Sequence, residues 1–146
     1  MYKLIDLFAG AGGLSEGFVR AGYTPIAHIE MNHDACDTLR TRAAYHWLRQ
    51  NNKLDIYTQY LYTKKEKESG KWLWDRVPKE VIDSVIEKAI GEDTINDLFS
   101  QVDNLRKGRN IDVVIGGPPC QAYSIVGRAR MGERVTEDPR NELYRY

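Results

Sequence analysis

The sequence predicts an α/β fold built on a parallel sheet. Short apolar runs alternate along the chain with segments of helical spacing, as in proteins whose strands run parallel. Two glycine clusters, at residues 10–13 and 116–117, each follow directly after an apolar run. Ligands bind beyond the carboxyl ends of the strands in such sheets, so both clusters are candidate sites.

The first elements follow one another closely. Residues 3–8 form an apolar run that ends at the first glycine cluster, which predicts a buried strand. A helix is predicted over 14–21 and a second strand over 24–30. Residues 34–47 have helical spacing, with one apolar face that consists of Ala35, Leu39, Ala43 and Trp47.

An aromatic-rich insertion is predicted at about residues 48–77 of a single domain that spans residues 1–146. We expect it to be partly irregular and held to the domain by the side chains of Tyr57, Tyr60, Tyr62, Trp72 and Trp74. Beyond it, helices are predicted over 78–90 and 94–105. The β-branched run at 111–115 predicts another buried strand.

Composition favours a cytoplasmic protein without a membrane segment or a metal site. No apolar run approaches the roughly 20 residues that span a bilayer. Two cysteines make no disulfide framework, and the three histidines lack cysteine partners at metal-ligand spacing. The net charge of zero argues against nucleic-acid binding, although Arg128, Arg130 and Arg134 form a basic segment.

The first glycine cluster, within the string DLFAGAGGL at residues 6–14, is typical of a nucleotide pocket. Glycines let a ligand approach the backbone closely. Glu30 ends the next strand, where a carboxylate can accept hydrogen bonds from ribose hydroxyls, and Met31 could pack on an adenine. The glycine spacing differs from the dinucleotide pattern and no phosphate-loop lysine follows. An adenosine cofactor without a pyrophosphate therefore fits better than a nicotinamide or a triphosphate.

The second cluster leads into the string GGPPCQAYS at residues 116–124. Pro118 and Pro119 restrict the backbone just before Cys120, which suits a nucleophile that must be placed accurately. Cys36, by contrast, lies inside a helical pattern and is predicted to be a small buried hydrophobic residue.

Together the two strings resemble the first and fourth conserved motifs of the cytosine-5 DNA methyltransferase family. The resemblance covers residues 1–40 and 86–146. It implies an incomplete, Rossmann-like catalytic domain that uses S-adenosylmethionine. The implied reaction is methyl transfer to carbon 5 of cytosine in double-stranded DNA, as part of a bacterial restriction-modification system.

The resemblance also implies roles for individual residues. Cys120 would be the nucleophile. Residues 138–143 look like the fifth motif. The cofactor would contact Phe8, Gly10, Gly12, Gly13, Leu14, Glu30, Met31, Asp93, Pro118 and Leu143, with Glu92 the rival of Asp93 for the adenine amino group. DNA would contact Pro119, Gln121, Ser124 and Arg128.

Several parts of that family's catalytic domain are absent from the 146 residues. They include the Glu-Asn-Val string whose glutamate serves ring nitrogen 3 of cytosine, the target-recognition region and a late segment that completes the cofactor pocket. We therefore expect the chain to be inactive alone and to need a C-terminal part, in the same or a separate chain. A tRNA cytosine-5 methyltransferase and a non-catalytic cofactor- or DNA-binding relative remain alternatives, and the DNA target sequence is not predicted.

Overall fold

The computed structural model describes residues 1–63 and 70–118. Every neighbouring pair of strands in these ranges is parallel, and the strand order is β3-β2-β1-β4. The predicted Rossmann-like parallel sheet is confirmed. Its strands are β1 (Lys3–Leu7), β2 (Thr24–Glu30), β3 (Val85–Glu87) and β4 (Val113–Gly116).

Helices connect the strands and cover both faces of the sheet. The predictions over 14–21, 34–47 and 94–105 are confirmed to within a few residues. Among the helices of residues 1–63 and 70–118, none combines the length and the apolar composition that a membrane-spanning helix requires. The helices are α1 (Gly13–Arg20), α2 (His33–Gln50), α3 (Leu54–Thr63), α4 (Lys71–Trp74), α5 (Lys79–Asp83) and α6 (Ile95–Arg106).

Local signals explain where the first two helices begin. Gly12 precedes α1 with a φ of 81°, a left-handed conformation that glycine adopts without a Cβ penalty. Glu16 and Arg20 place charges of favourable sign at the two ends of this helix. At α2, the Asn32 side chain accepts a hydrogen bond from the Ala35 N–H at 2.9 Å and caps the helix.

Separate apolar clusters hold the two faces of the sheet. On the α6 face, Leu98 packs in one buried cluster with Ile5, Ala27, Ile29 and Ile86. On the α2 face, the buried cluster consists of Ala9, Cys36, Leu39 and Val85. Burial of a side chain such as Leu98 stabilises the fold by about 1.5–3 kcal/mol. Because the cluster on the α6 face contains residues from neighbouring strands, this free energy also holds the strands together.

The predicted helix over 78–90 is wrong beyond residue 83. The helix α5 stops at Asp83, and Val85–Glu87 instead forms β3, which pairs with β2. The backbone N–H of His28 donates to the Ser84 carbonyl at 2.8 Å and begins this pairing. The apolar spacing fits a helix, but the free edge of β2 offers parallel hydrogen bonds that a sequence period does not reveal.

The insertion is more regular than expected. It carries α3 and α4, and its apolar side chains pack with the end of α2 in a separate cluster. Four of the five predicted anchors belong to this cluster, namely Tyr57, Tyr60, Trp72 and Trp74. Tyr62 is 84% exposed, so its predicted anchoring role is wrong.

The buried face of α2 also differs from the prediction. Leu39 is buried as expected, but Ala35, Ala43 and Trp47 are only partly buried. The remaining buried positions of the helix are Cys36, Ala44 and Leu48. The N-terminal half of α2 packs with the sheet, through Cys36 and Leu39, whereas its C-terminal half packs with the segment predicted as an insertion. The buried positions therefore do not follow one continuous stripe.

Candidate functional site

The carboxyl ends of the parallel strands bring the two glycine clusters together. Leu7, at the end of β1, pairs with Ile29 of β2 on one side and with Gly116 of β4 on the other. The Gly117 N–H donates to the Leu7 carbonyl at 3.3 Å. The turn after β1, the end of β2 and the start of the proline segment therefore lie side by side.

The turn after β1 has an unusual backbone. Phe8, Gly10 and Gly12 have φ angles of 54°, 53° and 81°. The Ala9 N–H donates to the Ile29 carbonyl at 3.1 Å, and the Gly12 N–H donates to the Ala9 carbonyl at 2.9 Å. The left-handed conformation of Phe8 costs about 1–2 kcal/mol, which the contacts of the surrounding turn must offset.

Glu30 holds this turn against β2. Its Oε2 accepts a hydrogen bond from the Gly10 N–H at 2.8 Å. Its Oε1 accepts from the N–H groups of Met31 and Asn32, each at 2.8 Å. A carboxylate offers about four lone-pair positions, so roughly one is left for a ligand. The carboxylate is therefore fixed in place and still able to accept.

The other predicted cofactor residues in the described ranges surround an open edge. Gly13 and Leu14 are exposed at the start of α1, and Met31 is 72% exposed beside Glu30. Asp93 and Glu92 are both exposed in the turn before α6, so exposure does not choose between them. Two cavities, of about 420 and 490 Å³, lie beside α1 and α2, and neither is lined by Glu30 or Met31.

The second glycine cluster is shaped by its neighbour. A Cβ at Gly116 would lie 2.8 Å from the Leu7 backbone oxygen, so only glycine fits this close approach of the two strands. Pro118 is the last described residue. The other residues predicted for this side of the site lie outside the described ranges, namely Pro119, Cys120, Gln121, Ser124, Arg128 and Leu143.

An ion-pair network next to Glu30 was not predicted. Glu87 is the register partner of Glu30, and its carboxylate contacts Arg40 and His33, each at 2.8 Å. The hydrogen bond from Arg40, with that of His33, lowers the pKa of Glu87, and Glu87 in turn raises the pKa of His33. The Arg40 guanidinium offsets the second negative charge at this edge. The sequence carries no spacing signal for such a contact, because the three residues lie on β3 and α2.

Cys36 is fully buried, as predicted. Its Sγ lies 3.4 Å from the Glu30 carbonyl oxygen, and burial raises the pKa of the thiol to about 11. A thiol held protonated is a poor nucleophile, so Cys36 is a packing residue. In the described ranges, no group of three or more His, Cys, Asp or Glu side chains is placed to hold a metal ion.

Comparison with known proteins places the chain in a family. A family model for the C-5 cytosine-specific DNA methylases matches residues 2–66 and 66–146. A type II methyltransferase of Bacillus paralicheniformis is 36% identical, over 98% of this chain and 36% of that protein. A putative type II methyltransferase of Methanocaldococcus jannaschii is 31% identical, over 99% of this chain and 41% of that protein. No solved structure matches. The chain thus spans 36% to 41% of the length of these two relatives, and it belongs to the C-5 cytosine-specific DNA methylase family.

Proposed function

We propose that this chain supplies the cofactor pocket and the nucleophile of an enzyme that transfers a methyl group from S-adenosylmethionine to carbon 5 of cytosine in double-stranded DNA. The observation that carries the proposal is the hydrogen bond from the Gly10 N–H to the Glu30 carboxylate, which joins the end of β2 to the glycine turn. The family match and the type II relatives support DNA as the substrate and a restriction-modification system as the setting.

The residues at the open edge fit an adenosine cofactor. A Cβ at Gly10 or Gly13 would meet no atom within 4 Å, so there is space above the turn. The Glu30 carboxylate has room for one ribose hydroxyl as it stands, and a second would have to displace one backbone N–H. Met31 and Asp93 would contact the adenine, and Phe8, Gly12, Leu14, Pro118 and Leu143 would line the remainder of the pocket.

When bound, S-adenosylmethionine supplies an electrophilic methyl group. The Cys120 thiolate adds to carbon 6 of the cytosine, and the ring becomes nucleophilic at carbon 5. Carbon 5 would then take the methyl group as the bond between that group and the cofactor sulfur breaks. Loss of the carbon 5 proton to solvent and expulsion of the thiolate would restore the ring. Pro119, Gln121, Ser124 and Arg128 hold the base and the DNA, since the base must leave the duplex to be reached.

The parallel sheet supports this placement of Cys120. Leu7 pairs with Gly116, so the chain leaves β4 directly beside the turn that follows β1. One glycine, Gly117, and two prolines then lead to Cys120. So short a connection supports a thiol near the cofactor edge.

The experiment compares the two cysteines in the completed enzyme. Cys120→Ser should lower methyl transfer into DNA by several orders of magnitude while S-adenosylmethionine still binds. Cys36→Ala is the control and should retain transfer. The product is identified as 5-methylcytosine by mass spectrometry of the digested DNA, with a tRNA substrate in parallel. Transfer by Cys120→Ser within about tenfold of the wild type would contradict the assignment.

We further propose that residues 1–146 need more polypeptide for activity. In support, β4 is an edge strand of the described sheet, and Val114 is 58% exposed on it. An exposed apolar edge strand is a site for pairing with a further strand. Labelled methyl transfer should appear only when the remaining polypeptide is added to the purified fragment. Transfer by the fragment alone would show that the whole catalytic machinery lies within these residues.

A further inference from the structure

Three buried polar residues meet beneath the glycine turn. In the part of the chain that the structure describes, Asp6, Ser15 and His28 are the only buried polar or charged residues. Asp6 and His28 are register partners on β1 and β2, so their side chains are neighbours on one face of the sheet. Ser15 lies above them in the first turn of α1. That all three buried polar side chains lie together indicates a common role.

Hydrogen bonds connect this cluster to the turn. The Ser15 hydroxyl donates to the Gly12 carbonyl at 3.3 Å. His28 Nε2 lies 3.2 Å from the same hydroxyl oxygen. Because the serine has already given its one proton to Gly12, the ring proton belongs on Nε2, which donates to Ser15. His28 Nδ1 is then a bare acceptor, and it has no partner among the described residues.

Burial disfavours the charged forms of both titratable groups in the cluster. Neither Asp6 oxygen has a hydrogen-bond partner of normal geometry among the described residues. The nearby Ser15 hydroxyl nevertheless favours the charged form of Asp6 and lowers its pKa, although by less than burial raises it. Burial raises the pKa of Asp6 and lowers that of His28 to about 4. The charged groups nearby do not neutralise them: Glu30 adds to the rise at Asp6, and His46 adds to the fall at His28.

The remaining charges that face the cluster are already paired. Glu16 of α1 contacts His46 at 2.8 Å and Arg42 at 3.3 Å, both from α2. Among the described residues, no positively charged side chain beside the cluster is therefore free to pair with Asp6. A buried carboxylate without a counter-ion costs more free energy than the protonated form, and this difference is why burial raises the pKa of Asp6.

The Gly12 carbonyl is the point through which the cluster acts. It accepts from Ser15 and also from the Glu16 N–H at 3.1 Å. Because a peptide group is planar and trans, fixing this carbonyl also fixes the Gly13 N–H, which points the opposite way. Gly13 is the exposed start of α1, where the backbone N–H groups have no partner within the helix.

We propose that Ser15 and His28 of this buried cluster are positioning residues, which orient the Gly12–Gly13 peptide towards the cofactor. The inference rests on the proposed function, because it assumes that the cofactor binds over this turn. It gives a function to two buried residues that lie beneath the turn and not on its exposed side.

The test measures S-adenosylmethionine binding by calorimetry in the completed enzyme. Ser15→Ala should weaken binding about three- to tenfold while the KM for DNA is unchanged. Ser100→Ala is the matched control, since that hydroxyl also donates to a helix carbonyl, of Asn96 at 3.0 Å, but on the exposed side of α6. Asp6→Asn keeps the shape of a side chain whose oxygens have no hydrogen-bond partner among the described residues, so its affinity should remain within about threefold of the wild type.

A second pair of variants keeps the test decisive if Ser15→Ala fails to fold. His28→Gln retains an N–H for Ser15 and should bind the cofactor like the wild type, whereas His28→Leu should bind as weakly as Ser15→Ala. Equal affinity for Gln and Leu, or a loss above tenfold for Asp6→Asn, would overturn the inference. If the wild-type enzyme itself binds no S-adenosylmethionine, the proposed function fails instead.

Discussion

Replacement of Gly12 by alanine is the sharpest test of the turn. The φ of 81° at Gly12 is left-handed, which costs an L-residue about 1–2 kcal/mol. The new Cβ would also lie 2.8 Å from Leu39 Cδ2, and Leu39 is only 1% exposed. Overpacking of a buried site adds about 1–3 kcal/mol. We therefore expect Gly12→Ala to lower the free energy of unfolding by about 2–5 kcal/mol, a large share of the roughly 5–15 kcal/mol typical of a protein.

The neighbouring glycine provides the control. Gly13 has no positive φ, and a Cβ there would meet nothing within 4 Å. Gly13→Ala should therefore change the free energy of unfolding by less than about 1 kcal/mol, and in the stabilising direction. Urea denaturation of both variants in the completed enzyme measures the difference. A Gly12→Ala variant within about 0.5 kcal/mol of the wild type, or equal losses at the two positions, would refute the reasoning.

Two further predictions concern the ribose acceptor and the buried histidine. Glu30→Gln should weaken S-adenosylmethionine binding at least as much as Glu30→Ala, by about 1–3 kcal/mol. In either orientation of the glutamine amide, its NH₂ group faces a backbone N–H that donates a hydrogen bond to the carboxylate of the wild type. Calorimetry that finds the glutamine variant the tighter binder would count against this role of the backbone bonds. For His28, burial lowers the pKa from 6.5 to about 4, so the unfolded chain takes up the proton first as the pH falls. Stability is therefore complete above pH 6.5 and is lost between pH 6.5 and about 4, by roughly 3 kcal/mol. Urea denaturation at pH 7 and pH 4.5 should show this loss in the wild type and a smaller one in His28→Gln; equal losses would assign it to other groups.

The strand-end carboxylate was within reach of sequence reasoning. Glu30 ends an apolar run that follows a glycine turn, and the structure places its side chain on the Gly10 N–H. Strand periodicity and turn residues are local signals, so they locate such a residue without knowledge of the tertiary contacts. The roles of Met31 and Asp93 toward a cofactor stay predictions.

The buried polar cluster was not within reach. It depends on the pairing of Asp6 with His28, and the register between β1 and β2 shifts at Leu4 and Ile5. Simple counting from Leu4 and Pro25 would place Asp6 opposite Ala27. Such an irregularity is set by the packing of the whole sheet, which a local pattern does not contain.

The position of β1 inside the sheet has a consequence for synthesis of the protein. One edge of β1 pairs with β4, which begins at Val113. Hydrogen bonds between Lys3 and Asp112 lie at the start of this pairing. A ribosome that adds about 5–20 residues per second takes roughly 5–20 s to bridge that separation. Throughout this time the emerging β1 has one unpaired edge, the kind of surface that pairs with other chains. This edge of β1 is thus protected only once β4 has been made, and a circular permutant with β4 ahead of β1 would remove the delay.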